Sequence, residues 1–270
     1  MVNVFDTADA VTEPGLDTLM CLVRTHFPAQ TPLKGVKFSS ANSFPTEELR
    51  GDYMDWINIG LIQLALSGFE KKKSPGPDGL KPVVFEHLTG EYLRFLEVIY
   101  KGIIRLHFTP KQLRETTVIF IPKPGKENYR SPKAFRPISL SNYLLKGLER
   151  LVAWKMDQAL VGHPLHPKQH GFQSGKSTDS AISNTVNYIE SFLFKNEYAV
   201  GVFLDISSAF DSICPEHIKR SLLNHGGDRD LVEWYYRYLK HRDLQFSLHG
   251  TKFECSNGCL LYTSPSPRDS

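Results

Sequence analysis

The nine residues Y-A-V-G-V-F-L-D-I (198–206) decide the fold more than any other stretch of this chain. The run is apolar on both faces until Asp205, which is typical of a buried strand that ends where a sheet meets solvent. Ile206 is followed by S-S-A-F-D (207–211). A carboxylate in this position can hold a hard cation such as Mg²⁺, which takes oxygen ligands. It can also cap the next helix, and the residues alone leave both interpretations open.

A second predicted strand lies upstream and is followed by basic residues. The β-branched run T-T-V-I-F-I (116–121) is stopped by Pro122. The turn after it presents Lys123 and Lys126, and Arg136 follows ten residues later. The planar guanidinium of Arg136 can hold phosphate oxygens in a bidentate manner. Taken singly, each of these cations can also be an ordinary surface residue.

Helical patterns occupy much of the remaining chain. Predicted helices cover 16–27, 46–66 with an end at Gly68, 85–108 with interruptions near Gly90 and Gly102, 140–161, 177–194 with an N-cap at Ser177 or Thr178, a helix opened by Pro215 and Glu216, and 228–240. Residues 244–255 resemble a hairpin that turns at His249-Gly250. Strands and helices are mixed without regular alternation, so the sequence predicts an α+β fold and not a doubly wound sheet.

Composition and charge narrow the class of protein. Of the 270 residues, 41% are hydrophobic and 23% are charged, which is typical of a globular chain. The net charge of +3 is unevenly distributed: residues 71–136 hold 14 lysines and arginines against six acidic residues. Residues 1–70 are acidic instead, with four basic residues against nine acidic ones. A basic surplus of this size indicates a polyanionic partner, although a solvated basic face would give the same count.

The cysteines and the apolar runs indicate the cellular compartment in which the protein is expected. The four cysteines are scattered without a C-x-x-C pair, which favours a reducing compartment and argues against a structural zinc site. The chain starts without a basic and apolar leader, and it contains no run of 18 apolar residues. We therefore expect neither secretion nor a membrane span.

The stretch G-F-Q-S-G-K-S (171–177) imitates a phosphate-binding loop. That loop needs four residues between its glycines and a strand before it. Here three residues separate Gly171 from Gly175, and the preceding H-P-L-H-P (163–167) is no strand. A P-loop nucleoside triphosphatase is therefore not expected. The histidines of residues 163–170 are expected to be ordinary loop residues.

Six stretches, taken in order, carry a family resemblance: K-S-P-G-P-D-G-L (73–80), F-I-P-K-P-G-K (120–126), F-R-P-I-S-L (135–140), L-K-G-L-E-R (145–150), Q-H-G-F-Q-S-G-K-S-T (169–178) and F-L-D-I-S-S-A-F-D (203–211). Together they resemble the reverse transcriptase of non-LTR retrotransposons, in particular the jockey-type lineages. The resemblance covers about residues 46–258, and H-F-P (26–28) is similar to the segment that precedes the polymerase in these elements. The sequences of residues 121–126 and 169–172 are less similar to those of group II intron maturases or telomerases.

The resemblance implies a right-hand polymerase, of which this chain would hold the fingers and the first half of the palm. Residues 1–45 would be a lead-in or linker, 46–196 the fingers and 197–258 a partial palm. The family motifs P-Q-G and Y-x-D-D, which would follow residue 258, are absent from the sequence. Residues 259–270 are rich in Ser and Pro instead, and we expect that they are not native.

The resemblance also implies roles for individual residues. Asp205 matches the first catalytic aspartate and metal ligand, and the Ile206 carbonyl matches an additional metal contact. Main-chain amides of Ser208 and Ala209 would meet the incoming triphosphate, and Phe210 would be the aromatic gate against a 2′-hydroxyl. The remaining matches are the triphosphate-holding cations Lys123 and Arg136, with Lys126 as an alternative to Lys123, and the template-lining segments 75–79 and 169–178.

The activity implied by the family is RNA-directed DNA synthesis with two Mg²⁺ ions, an RNA template, a DNA primer and deoxynucleoside triphosphates. Elements of this family act in the nucleus after a cytoplasmic ribonucleoprotein stage. Because Asp205 alone does not hold two metal ions, we expect this chain by itself to be inactive as a polymerase. The alternatives are a non-catalytic fragment that binds RNA or DNA, or an inactive remnant of the element.

Overall fold

The computed structural model describes residues 12, 15–27, 54–160, 165–205, 214–248 and 250–256. Within these ranges the chain forms eight α-helices: α1 (Leu16–His26), α2 (Ile59–Ser67), α3 (Gly90–Arg105), α4 (Lys111–Arg114), α5 (Tyr143–Leu160), α6 (Thr178–Leu193), α7 (Pro215–Asn224) and α8 (Arg229–Lys240). The four strands are β1 (Glu115–Pro122), β2 (Phe135–Ser141), β3 (Asp243–Leu248) and β4 (Thr251–Ser256). Short 3₁₀ turns cover Pro82–His87 and Pro132–Ala134.

The strands form one mixed sheet in the order β2-β1-β3-β4. β1 is antiparallel to β2 and parallel to β3, and β3 and β4 form an antiparallel hairpin. Side chains of β1 alternate between buried and half-buried, with Thr116, Val118 and Phe120 on the buried side. The sequence predictions of a strand at 116–121, a hairpin at 244–255 and an α+β fold are confirmed.

α1 and one face of the sheet share a hydrophobic cluster. The buried members are Leu19, Leu22, Val23, Phe27, Val118, Phe120, Ala134, Phe135, Leu244 and Phe246. Phe27 contacts both Phe120 and Phe246 edge to face, with ring centroids 6.4 and 5.0 Å apart. The helix predicted at 16–27 is confirmed, and it is packed into the body of the protein rather than leading up to it.

A second hydrophobic cluster lies among α2, α3, α5 and α8. Its largest buried side chain, Trp234, stacks on Tyr238 and donates from Nε1 to the Thr109 hydroxyl at 3.0 Å. Arg242, which is 1% exposed, connects α8 to α5 through hydrogen bonds from Nη2 to Tyr238 and, at 3.5 Å, to Glu149. This polar link holds the start of β3 against the helical cluster.

Most predicted helices are confirmed, but three have clearly different bounds. α5 begins at Tyr143 and not at Leu140, because Leu140 and Ser141 are the last two residues of β2. α2 begins at Ile59, because Asn58 accepts a hydrogen bond from the Leu61 amide and caps the helix, whereas residues 54–58 form turns. The part of that prediction at 46–53 lies outside the described residues. α3 begins at Gly90, after a 3₁₀ turn, and runs through Gly102 without a break. A single glycine costs a helix only about 1 kcal/mol, so packing on the other face maintains it.

Residues 165–205 differ from the rest of the fold. α6 is capped by Ser177, whose hydroxyl accepts from the Ser180 amide as predicted, but no residue of α6 is buried. The predicted buried strand at 198–206 is wrong for 198–205: these residues form no strand and are exposed, with Val200 at 90% and Phe203 at 95%. A strand is stable only beside a partner, and none of the described strands pairs with this run.

Among the described residues, none of the helices combines the length and the apolar character that crossing a bilayer requires.

Candidate functional site

The corner between β1 and β2 brings the predicted triphosphate-binding cations together. The antiparallel register pairs Ile121 with Arg136 and Pro122 with Phe135. Lys123 directly follows β1 and therefore lies next to Phe135 and Arg136, the first two residues of β2. Pro122 stops the ladder, and Gly125 takes the left-handed backbone (φ 73°) that turns the chain back. Local sequence thus builds a tight basic corner.

A cavity of about 360 Å³ lies at this corner. Its lining residues are His26, Lys123, Pro124, Lys126, Phe135, Arg136 and Pro137. Among these described residues three are cations and none is acidic, so the part of the cavity wall that they form has a net positive charge. The prolines that line the cavity restrict its backbone, so the basic side chains are the part of the wall that can adapt to a ligand. The cavity suits an anion with several oxygens.

Lys123 is the best fixed of the three cations. Its ammonium Nζ donates to the Lys133 carbonyl at 2.7 Å, and its backbone N–H donates to the Ala134 carbonyl at 2.8 Å. The Tyr129 hydroxyl donates to the Lys123 carbonyl at 2.9 Å. Lys123 is half-buried, whereas Lys126 and Arg136 are exposed. The 3₁₀ turn Pro132–Ala134 therefore holds this lysine on both its main chain and its side chain.

Electrostatics at the corner favour an anion. Burial and, after it, the positive charges of Arg136 and Lys126 lower the pKa of Lys123 below its ordinary value of 10.5. An anion bound beside Lys123 would counter both the loss of hydration and the two neighbouring positive charges. Lys123, Lys126 and Arg136, which the sequence singled out, thus line one cavity, and the choice between the two lysines stays open.

Asp205 is an exposed residue at the end of the described range 165–205. It follows Phe203 and Leu204, which are 95% and 91% exposed, and it forms no hydrogen bond or ion pair with another described residue. Ile206, Ser208, Ala209 and Phe210 lie outside the described residues. Across the described ranges, no three His, Cys, Asp or Glu side chains gather as metal ligands would. These residues therefore do not fit a two-metal centre.

The predicted template segment 75–79 is packed against the far end of β2. A side chain on Gly76 would meet Asn142 Oδ1 at 2.6 Å and the Ser141 backbone at 2.7 Å. Asn142 is buried; it accepts from the Asp78 amide at 3.4 Å and donates to the Gln112 carbonyl. Sequence reasoning missed Asn142, and its position two residues after the F-R-P-I-S-L stretch was the available signal.

The other predicted template segment, 169–178, folds on itself. The Lys176 ammonium donates to the carbonyls of Pro167 and Gln169 at 2.5 and 2.8 Å. His170 Nδ1 lies 2.8 Å from the Ser180 hydroxyl, which ties the loop to the start of α6. No strand precedes this loop in its described part, residues 165–177, so its likeness to a P-loop is confined to sequence.

His26 is a further cavity residue that sequence reasoning missed. It is the last residue of α1, and it lines the cavity although 97 residues separate it from Lys123 in the chain. The H-F-P stretch is similar to a segment of the family, but nothing in the sequence indicates that His26 lies beside the basic corner.

Comparison with known proteins gives a consistent result. The family model described as "Reverse transcriptase (RNA-dependent DNA polymerase)" matches residues 121–264, a range that contains Lys123, Lys126, Arg136 and Asp205. Among curated proteins, the "Probable RNA-directed DNA polymerase from transposon BS" of Drosophila melanogaster is 34% identical over 158 residues. The "RNA-directed DNA polymerase from mobile element jockey" of Drosophila funebris is 32% identical over 160 residues. The R2DM Pol polyprotein of Drosophila melanogaster is 28% identical over 183 residues.

These alignments cover most of this chain but little of the relatives. They include 58%, 59% and 66% of the chain, and 17%, 17% and 16% of the respective relatives. The chain thus spans a small part of the length of the curated proteins that it matches. The resemblance deduced from the six motifs, including its jockey-like character, is confirmed.

Proposed function

Because this chain belongs to the reverse transcriptase (RNA-dependent DNA polymerase) family, we propose that it serves RNA-directed DNA synthesis by a non-LTR retrotransposon. Within that function, the cavity at the corner of β1 and β2 holds the triphosphate of the incoming nucleotide. Lys123 and Arg136 contact the phosphate oxygens, with Lys126 at the entrance. The proposal is supported by the relatives named above, which are RNA-directed DNA polymerases of transposons.

The observation that carries the proposal is the convergence of three cations on one cavity, with no acidic residue among its described lining residues. Burial and then the neighbouring charges of Arg136 and Lys126 lower the pKa of Lys123, and a bound anion would counter both effects. An arginine fork gives bidentate contacts to phosphate, and a lysine contributes a compact charge. A polyphosphate suits this combination better than a single carboxylate does.

The wider assignment follows the family. Residues 46–196 act as fingers and 197–258 as part of the palm, with segments 75–79 and 169–178 along the template. Asp205 and the Ile206 carbonyl serve the metal, main-chain amides of Ser208 and Ala209 meet the triphosphate, and Phe210 gates the sugar. Two Mg²⁺ ions, expected from the family, would need more ligands than the described residues bring together. For this chain we therefore limit the mechanism to nucleotide and nucleic-acid binding.

The partners in this proposal are an RNA template, a DNA primer and deoxynucleoside triphosphates, and the place of action is the nucleus. The basic surplus of residues 71–136 supports a nucleic-acid partner, because neutralising backbone phosphates releases counterions and supplies affinity. Affinity for RNA is then expected to fall steeply as salt rises.

The direct test is binding of inorganic triphosphate, and of a deoxynucleoside triphosphate, to the 270-residue chain by calorimetry. Arg136→Ala is expected to weaken binding about 10-fold or more, since hydrogen bonds to charged groups contribute roughly 1.5–3 kcal/mol. Arg130→Ala is the matched control, because Arg130 is an exposed arginine that does not line the cavity. Equal affinity of the two variants would contradict the proposal.

A second candidate function is non-catalytic binding of RNA. The exposed position of Asp205, which forms no hydrogen bond or ion pair with another described residue, favours it for this chain taken alone. In a primer-extension assay with Mg²⁺, we expect no incorporation, while salt-dependent RNA binding persists. Incorporation that is lost in Asp205→Ala would show that this chain is itself a polymerase.

A further inference from the structure

α1 contributes a wall and a hydrogen bond to the triphosphate cavity. His26 Nε2 lies 2.9 Å from the Pro132 carbonyl, and a carbonyl oxygen only accepts, so Nε2 carries the hydrogen. The His26 ring also packs against the ring of Phe120, with centroids 5.9 Å apart. Phe120 lies on β1, three residues before Lys123. Both contacts place His26 on the structure that supports the basic corner.

Three consecutive carbonyls of the Pro132–Ala134 turn receive hydrogen bonds from this region. Pro132 accepts from His26, Lys133 accepts from the Lys123 ammonium, and Ala134 accepts from the Lys123 backbone N–H. One short turn therefore joins α1 to Lys123. Arg136 follows the last residue of that turn by only two positions, so the turn also supports the backbone of Arg136.

The position of α1 makes this link firm. Leu19, Leu22 and Val23 are at most 1% exposed, and Phe27, directly after His26, is 4% exposed. Since this packing fixes the end of α1 against the sheet, His26 presents its donor from a rigid base. A flexible lead-in could not hold a carbonyl in this way.

From these contacts we infer that His26 is a positioning residue for triphosphate binding, acting through the Pro132–Ala134 turn on the ammonium of Lys123. The inference rests on the proposed function of the cavity. It also makes α1 a part of the nucleotide site rather than a linker.

Two variants separate the hydrogen bond from the packing. His26→Phe keeps an aromatic ring against Phe120 but removes the donor, and it is expected to weaken triphosphate binding about 3- to 10-fold, the range of one net hydrogen bond. His26→Gln keeps an amide N–H for the Pro132 carbonyl and is expected to stay within about 2-fold of wild type. Thr25→Ala is the control on the same helix, because its hydroxyl bonds only locally, to the Cys21 carbonyl at 2.8 Å.

A double-mutant cycle distinguishes positioning from general stabilisation. If His26 acts through Lys123, the effect of His26→Phe disappears in a Lys123→Ala background, whereas independent effects would add. Calorimetry with inorganic triphosphate on the full 270-residue chain measures all four proteins. Additive losses, or wild-type affinity in His26→Phe, would overturn the inference alone. Absence of binding by the wild-type chain would overturn the proposed cavity function together with it.

Discussion

β1 and residues 198–205 are both apolar runs that the sequence predicts as strands, yet they have opposite environments. β1 lies between β2 and β3, and its side chains alternate between buried and half-buried as far as Phe120. In residues 198–205, Phe203 and Leu204 are 95% and 91% exposed and no strand forms. The difference is the presence of partners: β1 has a neighbour on each side, and the other run has none among the described strands.

This difference divides the predicted active site into two parts. The cations proposed to hold phosphate lie at the corner of the partnered strands β1 and β2, where hydrogen bonds to the Pro132–Ala134 turn fix Lys123. Asp205, predicted to hold metal, ends the unpartnered run. Strand propensity is therefore not enough to place a catalytic side chain, because a strand becomes rigid only when neighbouring strands fix it.

The largest expected effect contrasts two phenylalanines, one from each region. Phe246 on β3 is fully buried against Phe27 and Phe120, so Phe246→Ala is expected to lower the free energy of unfolding by about 3–5 kcal/mol. Phe203→Ala is expected to change it by less than about 0.5 kcal/mol. Urea unfolding followed by circular dichroism measures both. Similar losses for the two variants would mean that residues 198–205 are packed in solution.

The two segments proposed to line the template give the next contrast. In Gly76→Ala the new methyl group would lie 2.6–2.8 Å from Asn142 and the Ser141 backbone, so we expect a loss of about 1–3 kcal/mol in stability. Gly171→Ala is the matched substitution in the other segment, where nothing lies within 4 Å of the added carbon. We expect no loss there. Equal unfolding midpoints for the two variants would refute the packing of segment 75–79 on β2.

A smaller effect concerns pH at the basic corner. The lowered pKa of Lys123 means that its ammonium deprotonates below the ordinary lysine value of 10.5. Triphosphate affinity should therefore begin to fall, by a few-fold, as the pH rises through that lowered pKa. Lys123→Arg is expected to abolish this alkaline loss, because a guanidinium keeps its charge. Affinity is measured at a series of alkaline pH values at constant ionic strength.

Lys126→Arg serves as the control for that experiment and also decides between the two lysines. Lys126 lines the same cavity but is exposed. If Lys123 is the residue that holds the triphosphate, Lys126→Arg leaves the alkaline loss in place. Loss of the pH dependence in Lys126→Arg instead would transfer the assignment to Lys126.

Local sequence was sufficient to predict features that depend only on residues within one helix, strand or turn. Ser177 caps α6 and Pro122 ends β1 as predicted. The helix predicted at 228–240 is confirmed as α8, which Asp228 caps by accepting from the Leu231 amide. The three cations were also found from sequence, since they lie close to strand ends within one hairpin. Such features depend on residues that are near one another in the chain.

Long-range placement could not be deduced in the same way. His26 reaches the cavity only because α1 packs on the sheet, and Asn142 holds segment 75–79 across 64 residues of chain. Residues 198–205 show the converse, since their apolar pattern predicted burial without identifying a covering surface. In each case the missing information is a tertiary contact, which hydrophobic periodicity does not encode.

The smallest expected effect, and the one that tests the division of the site most directly, is that of Asp205→Asn. An exposed carboxylate without a described partner contributes little, so we expect a stability change within about 0.5 kcal/mol and unchanged affinity for inorganic triphosphate in metal-free buffer. Asp243→Asn is the matched control in the partnered region, because Asp243 accepts from Arg114 Nε at 2.7 Å. Asn keeps an acceptor oxygen but loses the charge of this ion pair, which is expected to cost about 1 kcal/mol. A clear change in triphosphate affinity in Asp205→Asn would mean that Asp205 approaches the cations of Lys123 and Arg136 in solution, and that the two parts of the site are joined.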